Sequence, residues 1–433
     1  MTRPATIFWF LLALALFSTA AAAVDLEPNA DGGRNPEARW RRGQIPIVFS
    51  TSLLKTGSSI RPDSDVQGAI RRSLETWEAA VDIEFQVSWS DKTAISPTGG
   101  SGDGISLVTI APIAENLLVF SGEASEIAAR TRVFYNRRGE ISEADIVLNP
   151  YQQFSTDGAI GTFDLESTLV HEIGHLLGLD HSPLAGATMN EFQGKNGIFN
   201  LANFSPRTLS LDDLTRIRSL YPSSADDCCG SVDGRIAPAS GRGGKSLSVW
   251  LEEPETGRIV VAARTAADGG FSIRGLTAGT YSVYLQDPAG GGQKLDDIQI
   301  SRGKTTVYSK KTVSVARNYD VRFAGLIGQL SRVAVPLNGG RTYQLFLGGK
   351  NLRPEELTVG TTSPFIGVSK PSPARLDYGR EMTVLTVEIS AAAEIPLGEY
   401  TIYVENRDGT LDFLPGALTV EKFSNPWSIT SFE

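Results

Sequence analysis

The stretch HEIGHLLGLDH at residues 171–181 decides which fold we expect for this chain. Residues four positions apart share one face of a helix, so His171 and His175 can direct their imidazole nitrogens at one metal ion. Glu172 lies one position round from His171 and can reach a metal-bound water without ligating the metal. Gly178 tolerates the backbone conformation that ends a helix, which lets the chain return His181 as a third ligand.

These three histidines are the only ones in the chain, so chance does not account for finding all of them at the spacing of metal ligands. Three imidazoles and one open position are typical of a catalytic zinc site, because a structural site is normally closed by four protein ligands. The alternative is a chance HExxH pattern on an amphipathic helix, which is a real hazard only for the shorter motif. The pattern predicts His171, His175 and His181 as zinc ligands and Glu172 as the catalytic base.

Outward from this stretch, hydrophobic periodicity predicts a mixed α and β unit. Helical spacing of apolar residues covers residues 63–80, 165–177 and 211–220, with the first helix expected to begin at Asp63 or Ser64. Strand patterns cover residues 45–50, 83–87, 105–110, 128–135 and 141–148, and the last two are separated by turn residues typical of a hairpin. We therefore expect an α+β catalytic domain with a mixed sheet and three helices.

Beyond Pro222 the character of the sequence changes. A polar linker at 223–230 precedes short strand patterns separated by Gly and Pro turns, and helical periodicity stops. The spacing of these strands predicts two all-β sandwich domains. The expected organisation is a signal peptide at 1–23, the catalytic domain at 24–224, and sandwiches at 225–315 and 316–433.

HEIGHLLGLDHS, followed by Met189, resembles the matrixin family of the metzincin clan, and the resemblance covers residues 40–222. It implies a zinc endopeptidase acting on a protein or peptide substrate, with Met189 forming an apolar turn beneath the zinc ligands. It also implies that an extended substrate pairs with an exposed strand edge, which we place within residues 130–135. Residues 190–199 should then help to form the specificity pocket.

The chain departs from the family pattern in three ways. No cysteine precedes Cys228, so a propeptide cysteine switch is not expected. No histidine remains for a second, structural zinc, so we expect one zinc ion. Calcium sites are common in the family, and Asp103 and Asp145 are candidates for Ca²⁺, although solvated acidic residues in loops are the simpler interpretation.

Two further resemblances concern the β-rich part of the chain. Residues 230–283 resemble carboxypeptidase-regulatory-like domains, and residues 338–400 resemble immunoglobulin-like modules of the IPT type. Neither shows a cluster of catalytic residues. They are expected either to contact a surface, matrix or substrate, or to act as a spacer supporting the protease, and we favour the spacer.

Cys228 and Cys229 are adjacent, which places their Cα atoms about 3.8 Å apart, below the usual range for a disulfide. They could form a strained bridge, pair with another chain or stay free, and the sequence does not rank these alternatives. A thiolate that reaches the catalytic zinc is disfavoured, because a zinc-binding spacing is absent.

The first residues predict export. Arg3 precedes an apolar run at 7–17 and small residues at 21–23, which is typical of a cleaved signal peptide. A membrane anchor is the alternative, but the alanine-rich second half is weakly apolar, so no stable membrane insertion is expected after cleavage. The net charge of −9 and the pI near 5.1 argue against nucleic-acid binding, which needs a basic face.

Two functions remain at this point. The favoured one is a secreted, extracellular zinc endopeptidase that hydrolyses extracellular proteins. The alternative is a non-catalytic secreted adhesion protein whose metzincin-like domain only retains zinc. Glu172 discriminates between them, because a purely structural site does not need a carboxylate beside an open metal position.

Overall fold

The computed structural model describes three consecutive parts of the chain. The described residues are 21–22, 38–41, 43–55, 59–97, 102–120, 127–200, 207–222, 228–237, 247–287, 291–312, 317–379 and 381–421. We call residues 38–222 the first unit, 228–312 the second unit and 317–421 the third unit. Within these residues, no helix has the length and apolar character needed to cross a membrane. The expected signal peptide lies outside the described residues except at 21–22.

The first unit contains four helices and a five-stranded mixed sheet. The helices are α1 (Val66–Glu78), α2 (Ala114–Leu117), α3 (Leu165–Leu176) and α4 (Leu211–Leu220). The strands, with β1 (Ala21–Ala22) preceding them, are β2 (Gln44–Ser50), β3 (Glu84–Ser90), β4 (Leu107–Thr109), β5 (Ala129–Tyr135), β6 (Ile141–Leu148), β7 (Phe154–Ser155), β8 (Phe163–Asp164) and β9 (Phe192–Gln193).

The sheet has the order β3-β2-β4-β6-β5, and only β5 runs antiparallel to its neighbour. The short strands form two separate pairs, β7 with β8 and β1 with β9. The predicted mixed sheet and three helices are present, and the one-turn helix α2 is an addition. Because β5 pairs only with β6, it is an edge of the sheet, as expected for residues 130–135.

Helices α1 and α3 pack together inside the core of the first unit. Trp77 of α1 is fully buried, and its indole N–H donates to the carbonyl oxygen of Val170 on α3 at 2.9 Å. Trp40 likewise donates its indole N–H to the carbonyl oxygen of Leu176 at 2.8 Å. These two tryptophans fix the middle and the C-terminal end of α3 against the rest of the unit.

The start of α1 differs from the expectation of Asp63 or Ser64. The helix begins at Val66, because the Asp65 carboxylate caps it by accepting the backbone N–H of Gly68 at 2.9 Å. The residues before it form a turn, closed by the N–H of Ser64 and the carbonyl oxygen of Arg61. Apolar spacing alone did not locate this cap.

The second and third units are built from strands alone in their described residues. Those of the second unit are β10 (Cys229–Ala237), β11 (Ser248–Glu252), β12 (Ile259–Arg264), β13 (Gly270–Thr277), β14 (Gly279–Asp287), β15 (Gly291–Ile300) and β16 (Thr305–Lys311). Those of the third are β17 (Asp320–Leu326), β18 (Val335–Pro336), β19 (Thr342–Lys350), β20 (Leu357–Thr361), β21 (Ile366–Val368), β22 (Ser372–Pro373), β23 (Thr383–Ala391), β24 (Gly398–Asn406) and β25 (Leu411–Val420).

The strands of the two β units join in one sheet, and the expected division into two sandwiches stays a prediction. Each has its own buried core, but one eight-stranded sheet includes strands of both. The link is made where β15 pairs with β25, through Gly292 and Leu411. The alternation of apolar residues predicts strands but not which strands pair across units, so the sequence did not indicate this shared sheet.

Candidate metal centre

Helix α3 positions the first two histidines. Asp164 caps its N-terminus by accepting the backbone N–H of Ser167 at 2.8 Å, and every residue of the helix is buried. His171 and His175 therefore point from one face of a buried helix, as the spacing of four residues predicts.

The turn after α3 brings His181 back to this face. Gly178 has φ +100°, a left-handed conformation that side chains rarely adopt, and its N–H donates to the carbonyl oxygen of His175 at 2.9 Å. The Nε2 atom of His175 lies 3.1 Å from Nε2 of His171 and 3.1 Å from Nε2 of His181. Within the described part of the chain, this is the group of three ligand side chains that could hold a metal ion.

Backbone carbonyls orient two of the three rings. Nδ1 of His171 lies 2.7 Å from the carbonyl oxygen of Thr188, and Nδ1 of His175 lies 2.7 Å from that of Leu179. A carbonyl can only accept, so each Nδ1 carries the proton and each Nε2 keeps its lone pair for a metal. Burial lowers the pKa of His171 to about 3 and that of His175 well below its ordinary value, which favours the neutral form that ligates metals.

Glu172 lies beside the cluster and is 1% exposed. Its Oε2 accepts a hydrogen bond from the hydroxyl of Thr131 on β5 at 2.5 Å, while no described group hydrogen-bonds to its buried Oε1. Burial raises the pKa of Glu172 to about 7, against the opposing effects of the Thr131 hydroxyl and of Arg130. One oxygen is thus held and the other is free. The unpaired Oε1 atom of Glu172 fits a site in which a further polar group binds next to a metal ion.

Met189 lies beneath the cluster, as the family resemblance implies. It is fully buried, and a Cβ on Gly174 of α3 would lie 2.3 Å from its sulfur, so the close approach requires a glycine there. The turn is closed by the N–H of Ser182, which donates to the carbonyl oxygen of Met189 at 2.7 Å.

Two side chains of the site were not identified from the sequence, Thr131 and Asp213. The Asp213 carboxylate on α4 accepts the backbone N–H of Thr188 at 2.9 Å and that of Met189 at 3.1 Å. It also forms a capping box with Ser210. The N-cap pattern Ser-x-x-Asp marks the start of α4, but no sequence signal connects it with the Met189 turn.

Part of the 190–199 stretch lines a cleft next to α3, and its end belongs to the core of the third unit. Phe192, Gln193 and Gly194 line this cleft together with Thr168 of α3 and Val333 of the third unit. The expectation that this stretch forms a substrate pocket remains a prediction. That the third unit supplies part of the cleft was not foreseen.

The calcium candidates have other partners. Asp103 forms an ion pair with Lys92. Asp145 is buried and accepts the backbone N–H groups of Ser96 and Leu107, each at 2.9 Å, and burial raises its pKa to about 7. Both carboxylates therefore hold the loop between β3 and β4, and a calcium site at either remains untested.

Cys228 and Cys229 form a disulfide with each other. Of the alternatives that the sequence left open, the structure has the bridge between neighbours. Neither sulfur belongs to the histidine cluster.

A mixed sheet, a helix with two histidines and a returning third histidine form a candidate metal site of the HExxH type, with a carboxylate beside it. Comparison with known proteins places the chain more narrowly. The family model described as Matrixin matches residues 40–222. The match covers less than half of the chain, and this segment is similar to the matrixin family of metalloproteases.

Two curated proteins illustrate the similarity. The hatching enzyme of Paracentrotus lividus is 29% identical over 191 residues, which are 43% of this chain and 27% of that protein. Metalloendoproteinase 1 of Glycine max is 28% identical over 199 residues, 42% of this chain and 52% of that protein. The chain thus spans about a quarter to a half of the length of these relatives.

Similarity to solved structures is weak. The major pilin subunit of Bacillus cereus has 14% sequence identity and a TM-score of 0.16, covering 43% of this chain and 66% of that one. A likeness at this TM-score carries no argument about the β units.

Proposed function

We propose that the chain is a secreted zinc-dependent endopeptidase whose zinc ligands are His171, His175 and His181 and whose general base is Glu172. The observation that supports this most directly is the convergence of three imidazole Nε2 atoms beside a buried carboxylate with a free oxygen. A site that only stores a metal has no need of that free oxygen.

His171, His175 and His181 would hold a zinc ion through Nε2, and such an ion would supply Lewis-acid chemistry to the scissile carbonyl and the attacking water. Glu172 takes a proton from the attacking water at Oε1 and delivers it to the leaving amine. Thr131 keeps Oε2 occupied, so the carboxylate presents one defined oxygen to the reaction. His171 and His175 stay neutral because burial lowers the pKa of each ring, and the carbonyls that hold their Nδ1 protons leave Nε2 for the metal.

We propose that the peptide substrate binds as an added strand along β5. Edge strands offer unpaired N–H and C=O groups to an extended peptide, and β5 also carries Thr131, which contacts Glu172. A bound peptide would thereby place its scissile bond close to the base. Export rests on the signal-like pattern of residues 1–23, and the domain boundaries at 224 and 315 are likewise proposals.

The experiment that tests this function compares the full mature chain with Glu172→Ala and with Glu75→Gln, which changes an exposed carboxylate on α1. We expect all three to bind about one zinc, as three-histidine catalytic sites do. Glu172→Ala should lose at least about a hundredfold in casein cleavage, and Glu75→Gln should cleave like the wild type. A chelator should stop cleavage.

If the wild type binds zinc but cleaves no unfolded protein, the endopeptidase proposal fails and a metal-holding adhesion protein replaces it. If Glu172→Ala cleaves as fast as the wild type, the role of Glu172 as base is wrong.

A further inference from the structure

The loop at residues 182–190, which connects His181 with Met189, packs against both β units. Leu184 and Ala187 are buried in one apolar cluster with side chains of the second and third units, which we call the junction cluster; its other members are Trp250, Ile259, Ala262, Tyr284 and Phe413. The N–H of Ala185 also donates to the carbonyl oxygen of Pro415 on β25 at 3.1 Å. The loop is therefore part of an interface between units.

The segment that follows this loop enters the third unit. Ile198 and Phe199 belong to the buried core of that unit, and the N–H of Phe199 donates to the side-chain oxygen of Gln329 at 2.5 Å. The guanidinium of Arg332 lies over the ring of Phe192, 4.6 Å from its centroid. Both ends of the segment 182–199 are thus attached to the β units.

A second line of contact runs through the start of α4. Asp213 accepts the N–H groups of Thr188 and Met189, and its neighbour Asp212 accepts the N–H of Ala262 on β12 at 2.7 Å. Asp212 is 1% exposed and lies 3.6 Å from Arg216. The β unit therefore contacts the residue adjacent to the one that holds the Met189 turn.

The backbone N–H of Ala262 on β12 does not take part in the hydrogen bonds of the sheet. Strand β12 is an edge strand, and the N–H of Thr265 donates back to Leu247. N–H groups alternate in direction along an antiparallel strand, so those of Ala262 and Arg264 face away from β11. The first of these is taken by Asp212, while Arg264 is exposed.

We propose that the two β units position the metal centre: by holding the segment 182–199 and Asp212, they fix the Thr188 carbonyl that orients His171 and the Met189 turn beneath the ligands. This inference rests on the proposed zinc site. Asp212, Ala262 and the junction cluster are positioning residues, since none of them touches the ligands. The β units are accordingly not a spacer.

The physical reason is the low intrinsic order of a connecting loop. A loop without regular structure opens locally at small free-energy cost unless buried contacts hold it. Here the apolar contacts of Leu184 and Ala187 and the packing of Phe199 come from outside the first unit. Partners that orient a metal ligand through its second ring nitrogen typically change metal affinity about 10- to 100-fold. Loosening the loop should therefore weaken zinc binding without altering the ligands themselves.

The test uses the full chain and the variant Ala262→Pro, which removes the N–H that Asp212 accepts and adds a proline ring at that position. Arg264→Pro is the matched control, because it removes an outward N–H of the same edge strand that makes no contact with Asp212. Asp212→Asn is a second variant that keeps the side-chain volume and weakens the same contact from the other side. The readouts are amide hydrogen exchange in the metal-free protein and zinc affinity by chelator competition.

We expect Ala262→Pro and Asp212→Asn to speed exchange at Thr188 and Met189 and to weaken zinc binding by about tenfold or more, while Arg264→Pro behaves like the wild type. Unchanged exchange and zinc affinity in both test variants would overturn the inference, and so would an equal effect of Arg264→Pro. Neither readout needs hydrolysis. A wild type that binds zinc but does not cleave would therefore refute the proposed endopeptidase and leave this test intact.

Discussion

The two sides of the histidine cluster are supported by different parts of the chain. His171 and His175 lie on α3, which packs against α1 within the core of the first unit. The loop from His181 to Met189 packs instead on the second and third units through the junction cluster. A substitution can therefore damage one side and leave the other intact, which makes the two supports separable by experiment.

The largest effect is expected on the α3 side, from Trp77→Ala. Trp77 is fully buried and its indole N–H donates to Val170 of α3. Removing it leaves a cavity and takes one donor from the Val170 carbonyl, at a cost of about 3–5 kcal/mol in the free energy of unfolding. Urea unfolding followed by tryptophan fluorescence and circular dichroism measures this.

Trp89→Ala is the control for that change, because Trp89 lies on the edge strand β3 and is 39% exposed. It should lose much less stability. Equal losses for the two variants would mean that Trp77 is not the main contact between α1 and α3.

The α3 side was predictable from the sequence and the loop side was not. The spacing of His171, His175 and His181 is local, so helix geometry and one glycine turn were enough to bring these side chains together. The five strands of the main sheet and the three long helices of the first unit also followed from local periodicity, whereas α2 and the short strands β7, β8 and β9 did not. The start of α1 was misplaced because the cap at Asp65 depends on one side-chain hydrogen bond rather than on apolar spacing.

Contacts distant in sequence account for what was missed. Thr131 meets Glu172 only because β5 lies beside α3, and Ala262 meets Asp212 only because the second unit folds back on α4. Neither pair has a residue spacing that a pattern could detect. The shared sheet between the β units is a further case, since strand alternation does not specify a partner strand.

In the β units that support the loop, we expect the free energy of unfolding to depend on pH through Glu252. Glu252 is the last residue of β11. Its carboxylate accepts hydrogen bonds from the indole N–H of Trp250 at 2.8 Å and from the hydroxyl of Thr401 on β24 at 2.6 Å. Burial raises its pKa from 4.5 to about 7. Between pH 4.5 and about pH 7 the Glu252 carboxyl is ionised in the unfolded chain and protonated in the folded chain. Its ionisation therefore lowers the free energy of unfolding as pH rises, by up to about 3 kcal/mol.

Glu252→Gln should therefore match the wild type near pH 4 and exceed it in stability above pH 7. Urea unfolding across this range measures the difference, with Glu388→Gln, an exposed carboxylate on β23, as the control. Parallel pH profiles for Glu252→Gln and the wild type would show that Glu252 is not buried in its protonated form.

A smaller effect is expected on the loop side from Asp213→Asn. The substitution keeps one acceptor oxygen, so one of the N–H groups of Thr188 and Met189 loses its partner. We expect zinc affinity to fall by about 10- to 100-fold, because the Thr188 carbonyl orients His171. Chelator competition measures this, and Asp82→Asn at an exposed position should leave affinity unchanged.

The smallest effect is expected from Thr131→Val, which removes the hydroxyl that donates to Glu172 and leaves the shape of the side chain. A single hydrogen bond to a charged group accounts for about a tenfold change, so kcat should fall by roughly that factor while zinc content stays constant. Thr131→Ser should restore most of the rate. An effect on KM alone would mean that Thr131 binds substrate and does not orient the base.

The junction cluster has a consequence for how such a protein can be recombined. Gene fusions usually exchange domains at linkers, on the premise that each part keeps its own surface. A foreign segment with polar side chains at positions 184 and 187 would bury them against Trp250 and Phe413. These polar side chains would have no hydrogen-bond partners in the apolar cluster. A working chimera would have to transfer the 182–199 segment along with the β units, so the unit of exchange begins inside the first unit rather than at Pro222.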